Sequence, residues 1–281
     1  VIAMQTAPRH GLSASAVSTY HRDGIVFPLA ALPPARVLQL RESLEAVEAG
    51  LGDRPTPMRW TNLCFSWAYD VAMDPAVLDS VEALLGPEII VMGSIVLSKH
   101  PGQDAYVGWH QDSMNDGDDA APAVSAWIAV TDSTPANGCM RIIPATQRKM
   151  LAHCEVPDPA NLLRAGRVLA EPVNEEQAVD VELRAGEMSL HHDLIVHGSR
   201  PNCGDGKRIG FVVRYTTPAA RSRGFPVVRA RGSAACPHLE LAGRPPDAGP
   251  DAALASYIGF TAAMERGMAG RKRTTDEHQH A

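Results

Sequence analysis

Apolar positions recur at helical spacing in the first third of the chain and at strand spacing beyond it. Val37, Leu38, Leu40, Leu44 and Val47, entered through Pro33-Pro34 and left at Ala49-Gly50, predict an amphipathic outer helix. A second helix is predicted from Pro75 to Leu85, carried by Val77, Leu78, Val81, Leu84 and Leu85 and stopped by Gly86-Pro87. Further upstream, Tyr20 to Pro28 has the pattern of a helix end with Gly24 as its C-cap, followed by a strand. From Ile89 the pattern changes. The β-branched runs 89–92 and 94–97 are followed by strand-like segments at 105–110, 124–130, 140–143, 188–197 and 209–216, most of them separated by Gly, Pro or Asn. Helices first and then six or more strands predict a mainly β fold with flanking helices, a double-sheet barrel with the helices on one side.

The chain has 281 residues, of which 45% are hydrophobic, enough for one sizeable core, so one domain over 1–281 is expected. Residues 1–14 and 267–281 have the composition of flexible tails. Residues 148–180 form an irregular insertion between strands, of a length more typical of an active-site lid than of a tight connector. A formal net charge of -6 gives no overall basic surface for nucleic acid or an anionic membrane, so a small-molecule partner is expected, bound by a monomer or homodimer. Five cysteines, widely spaced and without a CxxC pair, suggest neither a disulfide framework nor a zinc knuckle and fit a reducing cytoplasm. No apolar run is long enough to span a bilayer.

The candidate chemistry begins with His-x-Asp, which occurs three times. An imidazole and a carboxylate two apart on a strand share a face and can reach one metal ion. His21-Arg22-Asp23 sits at a helix end and reads as surface. His191-His192-Asp193 is strand-like, and alternation from His197 places His191 and Asp193 on the face of His197, lining or neighbouring the pocket. His110-Gln111-Asp112 ends an alternating strand and runs into the turn 115–119, as expected for metal ligands at a barrel mouth. Two imidazoles and one carboxylate on one side of Fe(II) leave the opposite side open for cosubstrate and O2. His197, at the end of a distant strand, is the expected third ligand. Eleven positions beyond it stands Arg208, whose guanidinium fork suits the far carboxylate of 2-oxoglutarate.

Trp127 is a candidate wall of the cosubstrate pocket, and Arg214, in phase with Arg208, a candidate for substrate polar groups. Asn62, Trp67 and Tyr69, between the helical part and the barrel, are candidate substrate contacts, as is Gln111. The acidic loop with Asp116, Asp118 and Asp119 could attract an amine across the mouth.

The stretches WHQD (109–112), AWIAVTDSTPANGCMRIIPATQ (126–147), AGEMSLHHDLIVHGSRPN (185–202) and RIGFVVRY (208–215) resemble the phytanoyl-CoA dioxygenase family of Fe(II)/2-oxoglutarate-dependent oxygenases. The resemblance implies a double-stranded β-helix (jelly roll) with His110, Asp112 and His197 on iron. It implies Arg208 and Ser199 on the 2-oxoglutarate carboxylate, with a further cosubstrate contact near Ser94 or Ser98. In halogenating variants of the family a small residue replaces the carboxylate ligand. Asp112 is intact, which favours hydroxylation of an unactivated C–H bond with release of succinate and CO2. Desaturation or cyclisation on the same iron centre, or a non-catalytic cupin-like binder, are the alternatives.

Overall fold

A computed structural model describes residues 11–52, 57–112, 121–222 and 224–279. The chain opens with helix α1 (Ala14–Asp23), whose N-cap Ser13 accepts from the Ala16 amide and whose C-cap Gly24 has φ 80°. That left-handed residue turns the chain into strand β1 (Ile25–Ala30). Helix α2 (Pro34–Leu51) buries Val37, Leu40, Leu44 and Val47 of the stripe expected from the sequence, while Leu38 of that stripe is exposed. The short strand β2 (Met58–Arg59) and helices α3 (Thr61–Cys64) and α4 (Ser66–Ala72) follow. Helix α5 (Pro75–Leu85) is capped by the side chain of Asp74.

The next element, β3 (Ile89–Lys99), is one continuous strand rather than two. Beyond it come β4 (Val107–His110), β5 (Ala123–Ala129), β6 (Met140–Ile143), β7 (His153–Glu155), β8 (Arg167–Leu169) and β9 (Val179–Val181). Strands β10 (Glu187–His192), β11 (Val196–Ser199), β12 (Arg208–Thr216) and β13 (Val228–Arg231) complete the sheets, and α6 (Pro250–Gln279) ends the described chain. The segment from 267, expected as a tail, is therefore helical as far as Gln279.

The strands form a large sheet ordered β1-β10-β5-β12-β3-β13, with β2 also on β3, and a smaller sheet ordered β4-β11-β6-β9. All pairings in both sheets are antiparallel. Among the described residues the sheets do not close into a barrel; they lie as two layers of a jelly roll, which corrects the barrel expected from the strand count. Ile25, Trp127, Ala129, Met140, Ile142, Val181, Leu183, Ile195 and Val212 pack as the filling between the layers. A larger cluster on the other face of the large sheet joins Val91, Val96, Phe211, Val213 and Tyr215 to Leu40 and Leu44 of α2 and Val77 and Val81 of α5. Each such fully buried aliphatic side chain contributes about 1.5–3 kcal/mol relative to exposure. Tyr257 of α6 packs on Phe65, ring centroids 5.2 Å apart, so the C-terminal helix belongs to the same helical layer.

The segment read as one strand from 188 to 197 is two. A turn at Asp193-Leu194 ends β10 in the large sheet and sends β11 into the small one. The insertion 148–180 also has structure of its own. Strands β7 and β8 pair as a hairpin, and β9 extends the small sheet beside β6.

Candidate active site

Antiparallel pairing of β4 with β11 sets His197 directly opposite His110, and the ring centroids lie 4.1 Å apart. Nδ1 of His110 donates to the carbonyls of Gly108 (2.9 Å) and His197 (3.1 Å), and Nδ1 of His197 donates to the Ile195 carbonyl (3.0 Å). A ring whose Nδ1 carries the proton presents a bare Nε2, the form a metal needs. Asp112, just beyond β4, brings Oδ1 to 3.5 Å from His110 Nε2 and 4.0 Å from His197 Nε2. One ligand atom from each of the three lies within 4.8 Å of the others, and all three residues are buried. This donor set fits a divalent iron with three positions left open.

The electrostatics suit the same purpose. Burial opposes charge on Asp112, but the guanidinium of Arg214 and the adjacent His110 outweigh it and hold the carboxyl well below its usual range. Arg214 Nη2 pairs with Oδ1, and Ser125 donates to Oδ2 at 3.2 Å. Burial, reinforced by His110, pushes the His197 imidazole well below its ordinary value, so it stays neutral and available to a metal.

A cavity of about 70 Å³ opens between the sheets and contains all three ligands in its lining. Its lining also includes Leu97, Trp127, Met140, Ser199 and Arg208. Alternation along β12 puts Arg208, Gly210, Val212 and Arg214 on one face, so the two arginines enter the same cavity, as their phase suggested. Arg208 is 2% exposed, donates to the Gly138 carbonyl at 3.0 Å and lies 5.5 Å from the Trp127 ring centroid. Its buried Nε has no partner in the protein, an orphan donor suited to a carboxylate oxygen. Gly210 makes room for the tryptophan: a Cβ there would lie 2.2 Å from Trp127 Cζ2. Gly210→Ala is expected to displace the ring, lower stability by about 1–3 kcal/mol and weaken 2-oxoglutarate binding. Thermal denaturation and cosubstrate titration would measure both effects, and an unchanged titration would contradict the wall assigned to Trp127.

Not every residue singled out from the sequence reaches the cavity. Ser98 turns its hydroxyl to Glu48 of α2, and Ser94 hydrogen-bonds with Thr61 and Asn62, so neither is placed to meet the cosubstrate. The reason is strand parity. Ile95 and Leu97 line the cavity, which turns Ser94 and Ser98 toward the helices. Asn62, 1% exposed, is bonded to Ser94 and does not line the cavity, and Trp67 stacks on Phe65 in the core. Gln111 is a structural tie. Its side chain donates to the carbonyls of Lys149 and Leu194 and accepts from the Leu151 amide, pinning the insertion beside the metal ligands.

His191 does line the cavity, with Nε2 3.9 Å from Asp112 Oδ2. Asp193 does not, because the turn breaks the alternation, and its carboxylate lies 2.9 Å from His192 Nδ1. The first His-x-Asp is a surface feature, Arg22 and Asp23 pairing with one another at 2.6 Å. Asp116, Asp118 and Asp119 lie outside the described residues.

Four contributions were missed. Leu162 and Leu163 of the insertion line the cavity, held there by backbone bonds from Tyr106 to Ala160 and from Leu162 to Tyr106, both 2.9 Å. Arg59 lines it from β2. Lys99, wholly buried and opposite Arg208 in the β3–β12 register, donates to Ser199 Oγ at 2.6 Å and to the Arg200 carbonyl. Ser125 supports Asp112. Lys99 was visible in principle, being in phase with Ile95 and Leu97; Arg59 sits in a stretch read as loop, where no periodicity marks it.

The two-layer jelly roll thus brings two imidazoles and a carboxylate suited to Fe(II) into one cavity with a buried arginine suited to a carboxylate, the site features of non-haem iron, 2-oxoglutarate-dependent oxygenases. Comparison with known proteins agrees. The profile of the family described as phytanoyl-CoA dioxygenase (PhyH) matches residues 20–210, and the chain belongs to that family. It is 26% identical over 149 residues to a probable phytanoyl-CoA dioxygenase of Caenorhabditis elegans, covering 50% of this chain and 48% of that protein. It is 28% identical over 214 residues to the ectoine dioxygenase of Nocardia farcinica, covering 66% and 72%. Among solved structures, the non-haem monooxygenase ThoJ superposes with a TM-score of 0.74 at 28% identity, covering 92% of this chain and 99% of that one. The chain spans about half the length of most of the phytanoyl-CoA dioxygenases it matches. No helix of the described residues is long and apolar enough to cross a membrane.

Proposed function

We propose that this chain hydroxylates an unactivated C–H bond of a small molecule, a polar metabolite or biosynthetic intermediate, consuming 2-oxoglutarate and O2 and releasing succinate and CO2. The observation that supports this most is the placement of His110, Asp112 and His197 in one cavity with the buried Arg208. His110, Asp112 and His197 would hold the iron, and Arg208 with Ser199 would anchor the far carboxylate of 2-oxoglutarate. Bound iron supplies the oxidising chemistry. The protein supplies orientation and dryness: Trp127, Met140 and Leu97 wall the cosubstrate end, while Leu162 and Leu163, carried on the insertion, cover the reacting centre from solvent in the manner of a lid.

Lys99 backs the carboxylate anchor. Burial, reinforced by Arg208, lowers its ammonium to about 6, far below the ordinary lysine value of 10.5, so at neutral pH it is an amine in the cosubstrate-free protein. A carboxylate docking on Arg208 and Ser199 adds negative charge next to it and raises that value. Binding therefore takes up protons above pH 6, and 2-oxoglutarate affinity falls as pH rises through this window. Lys99→Met should weaken binding and abolish the proton uptake. Calorimetry in buffers of different ionisation heat measures it, and equal uptake by both proteins would contradict the assignment.

Product mass separates the reactions open to this centre. Hydroxylation adds one oxygen, whereas desaturation or ring closure removes two hydrogens. A cupin-like binder would leave 2-oxoglutarate unconsumed.

A further inference from the structure

We propose that the substrate carries an anionic group, a carboxylate, phosphate or sulfate, received by Arg59 with Arg214 beside it. This deepens the oxygenase reading and rests on it. In the sheet register Arg59 lies opposite Ile95, Ile95 opposite Val212, and Val212 opposite Trp127, a row whose members all line the cavity. Arg214 is two positions on from Val212 along β12, so both arginines enter from the large sheet. Pro57, Leu162 and Leu163 complete this part of the wall, giving an apolar surround to a cationic spot.

Charge balance then points to the ligand. Among the described residues, the Arg, Lys, Asp and Glu side chains lining the cavity are Arg59, Arg208 and Arg214 against Asp112 alone. Fe(II) and the 2-oxoglutarate dianion cancel each other. Three guanidiniums against one carboxylate leave two positive charges in excess.

Arg59 has no carboxylate within ion-pair distance among the described residues, and the charges that act on it most strongly, Arg214 and Arg164, are repulsive. Burial together with those neighbours lowers its guanidinium to about 10. An oxyanion held by the guanidinium fork relieves that repulsion, and arginine matches carboxylate, phosphate and sulfate geometry better than lysine does. The acidic residues 116, 118 and 119 would draw an amine instead, so the test must include one.

The full chain, loaded with Mn(II) in place of iron to prevent turnover and saturated with 2-oxoglutarate, is titrated by calorimetry with benzoate, benzamide and benzylamine. Benzoate is expected to bind roughly tenfold or more tightly than benzamide, the increment of one charge-assisted hydrogen bond, and benzylamine to bind no better than benzamide. Arg59→Gln should remove the benzoate preference while 2-oxoglutarate still binds, which also shows that the variant is folded, and Arg59→Lys should keep part of it. A preference for benzylamine, no preference among the three, or a preference that survives Arg59→Gln would overturn the inference and leave the oxygenase reading intact. Failure of 2-oxoglutarate to bind the wild-type protein would remove the reading on which it rests.

Discussion

Replacing Asp112 with alanine is expected to reduce substrate-coupled succinate formation to background. The substitution removes one of three metal ligands and leaves two imidazoles, an incomplete facial triad. It also strips Arg214 of its carboxylate partner inside a cavity where Asp112 is the only acidic lining residue among the described residues. Breaking such a pair by deleting one member costs about 3–5 kcal/mol, so the variant should also melt earlier. The fold should survive, because β4 and β11 are paired through backbone bonds that Asp112 does not make. Metal binding measured beside turnover separates the two effects. Full turnover by Asp112→Ala would contradict the metal site.

Arg208→Gln is expected to weaken 2-oxoglutarate binding by roughly thirtyfold to several thousandfold, corresponding to about 2–5 kcal/mol for truncating one side of a buried charge pair. Among the described residues, the lining beside Arg208 offers no replacement. Lys99 stands behind Ser199 and lies outside the cavity lining, so it backs the anchor without supplying a fork. Arg208→Lys should restore little, since a point charge on a flexible stem does not reproduce the fork. Iron affinity should be unaltered, as Arg208 approaches Gly138 and Trp127 rather than the metal ligands. Cosubstrate titration reads the first effect and metal titration the second. Equal weakening of both would mean that Arg208 supports the fold rather than the cosubstrate.

The ligands were legible in the sequence because period-two alternation fixes which side chains share a face within one strand. Arg208 with Arg214 follows from that rule alone within β12, whereas Asp112 shares the face of His110 although β4 ends at His110. The same rule failed wherever a strand ended unseen. Asp193 was placed with His197 only because the turn at Asp193-Leu194 was read as strand, and the change of sheet there leaves His191 in the cavity and Asp193 outside it. Ser94 and Ser98 came from the family resemblance, and the parity of Ile95 and Leu97 turns them the other way.

Arg59 and the Leu162-Leu163 pair were not legible, because each owes its position to a contact with a segment far away in the chain. Arg59 is held by two residues of pairing with β3, and Leu162-Leu163 by backbone bonds to Tyr106. Gln111 shows the opposite error. A polar residue between two metal ligands invited a substrate role, yet its three side-chain bonds tie down loops. Helix α6 went unread because Arg, Lys and Glu crowd its C-terminal half without a clear apolar stripe.

The most direct test of the central claim is succinate release by the purified, Fe(II)-loaded chain across acyl-CoA esters, amino acids, phosphonates and biosynthetic intermediates, with product mass recorded for each. The expected result is succinate formed in step with one product that has gained a single oxygen atom, and only when that substrate, 2-oxoglutarate and O2 are all present. Binding of a substrate from these classes to the iron-loaded, cosubstrate-bound protein with no consumption of 2-oxoglutarate would contradict it.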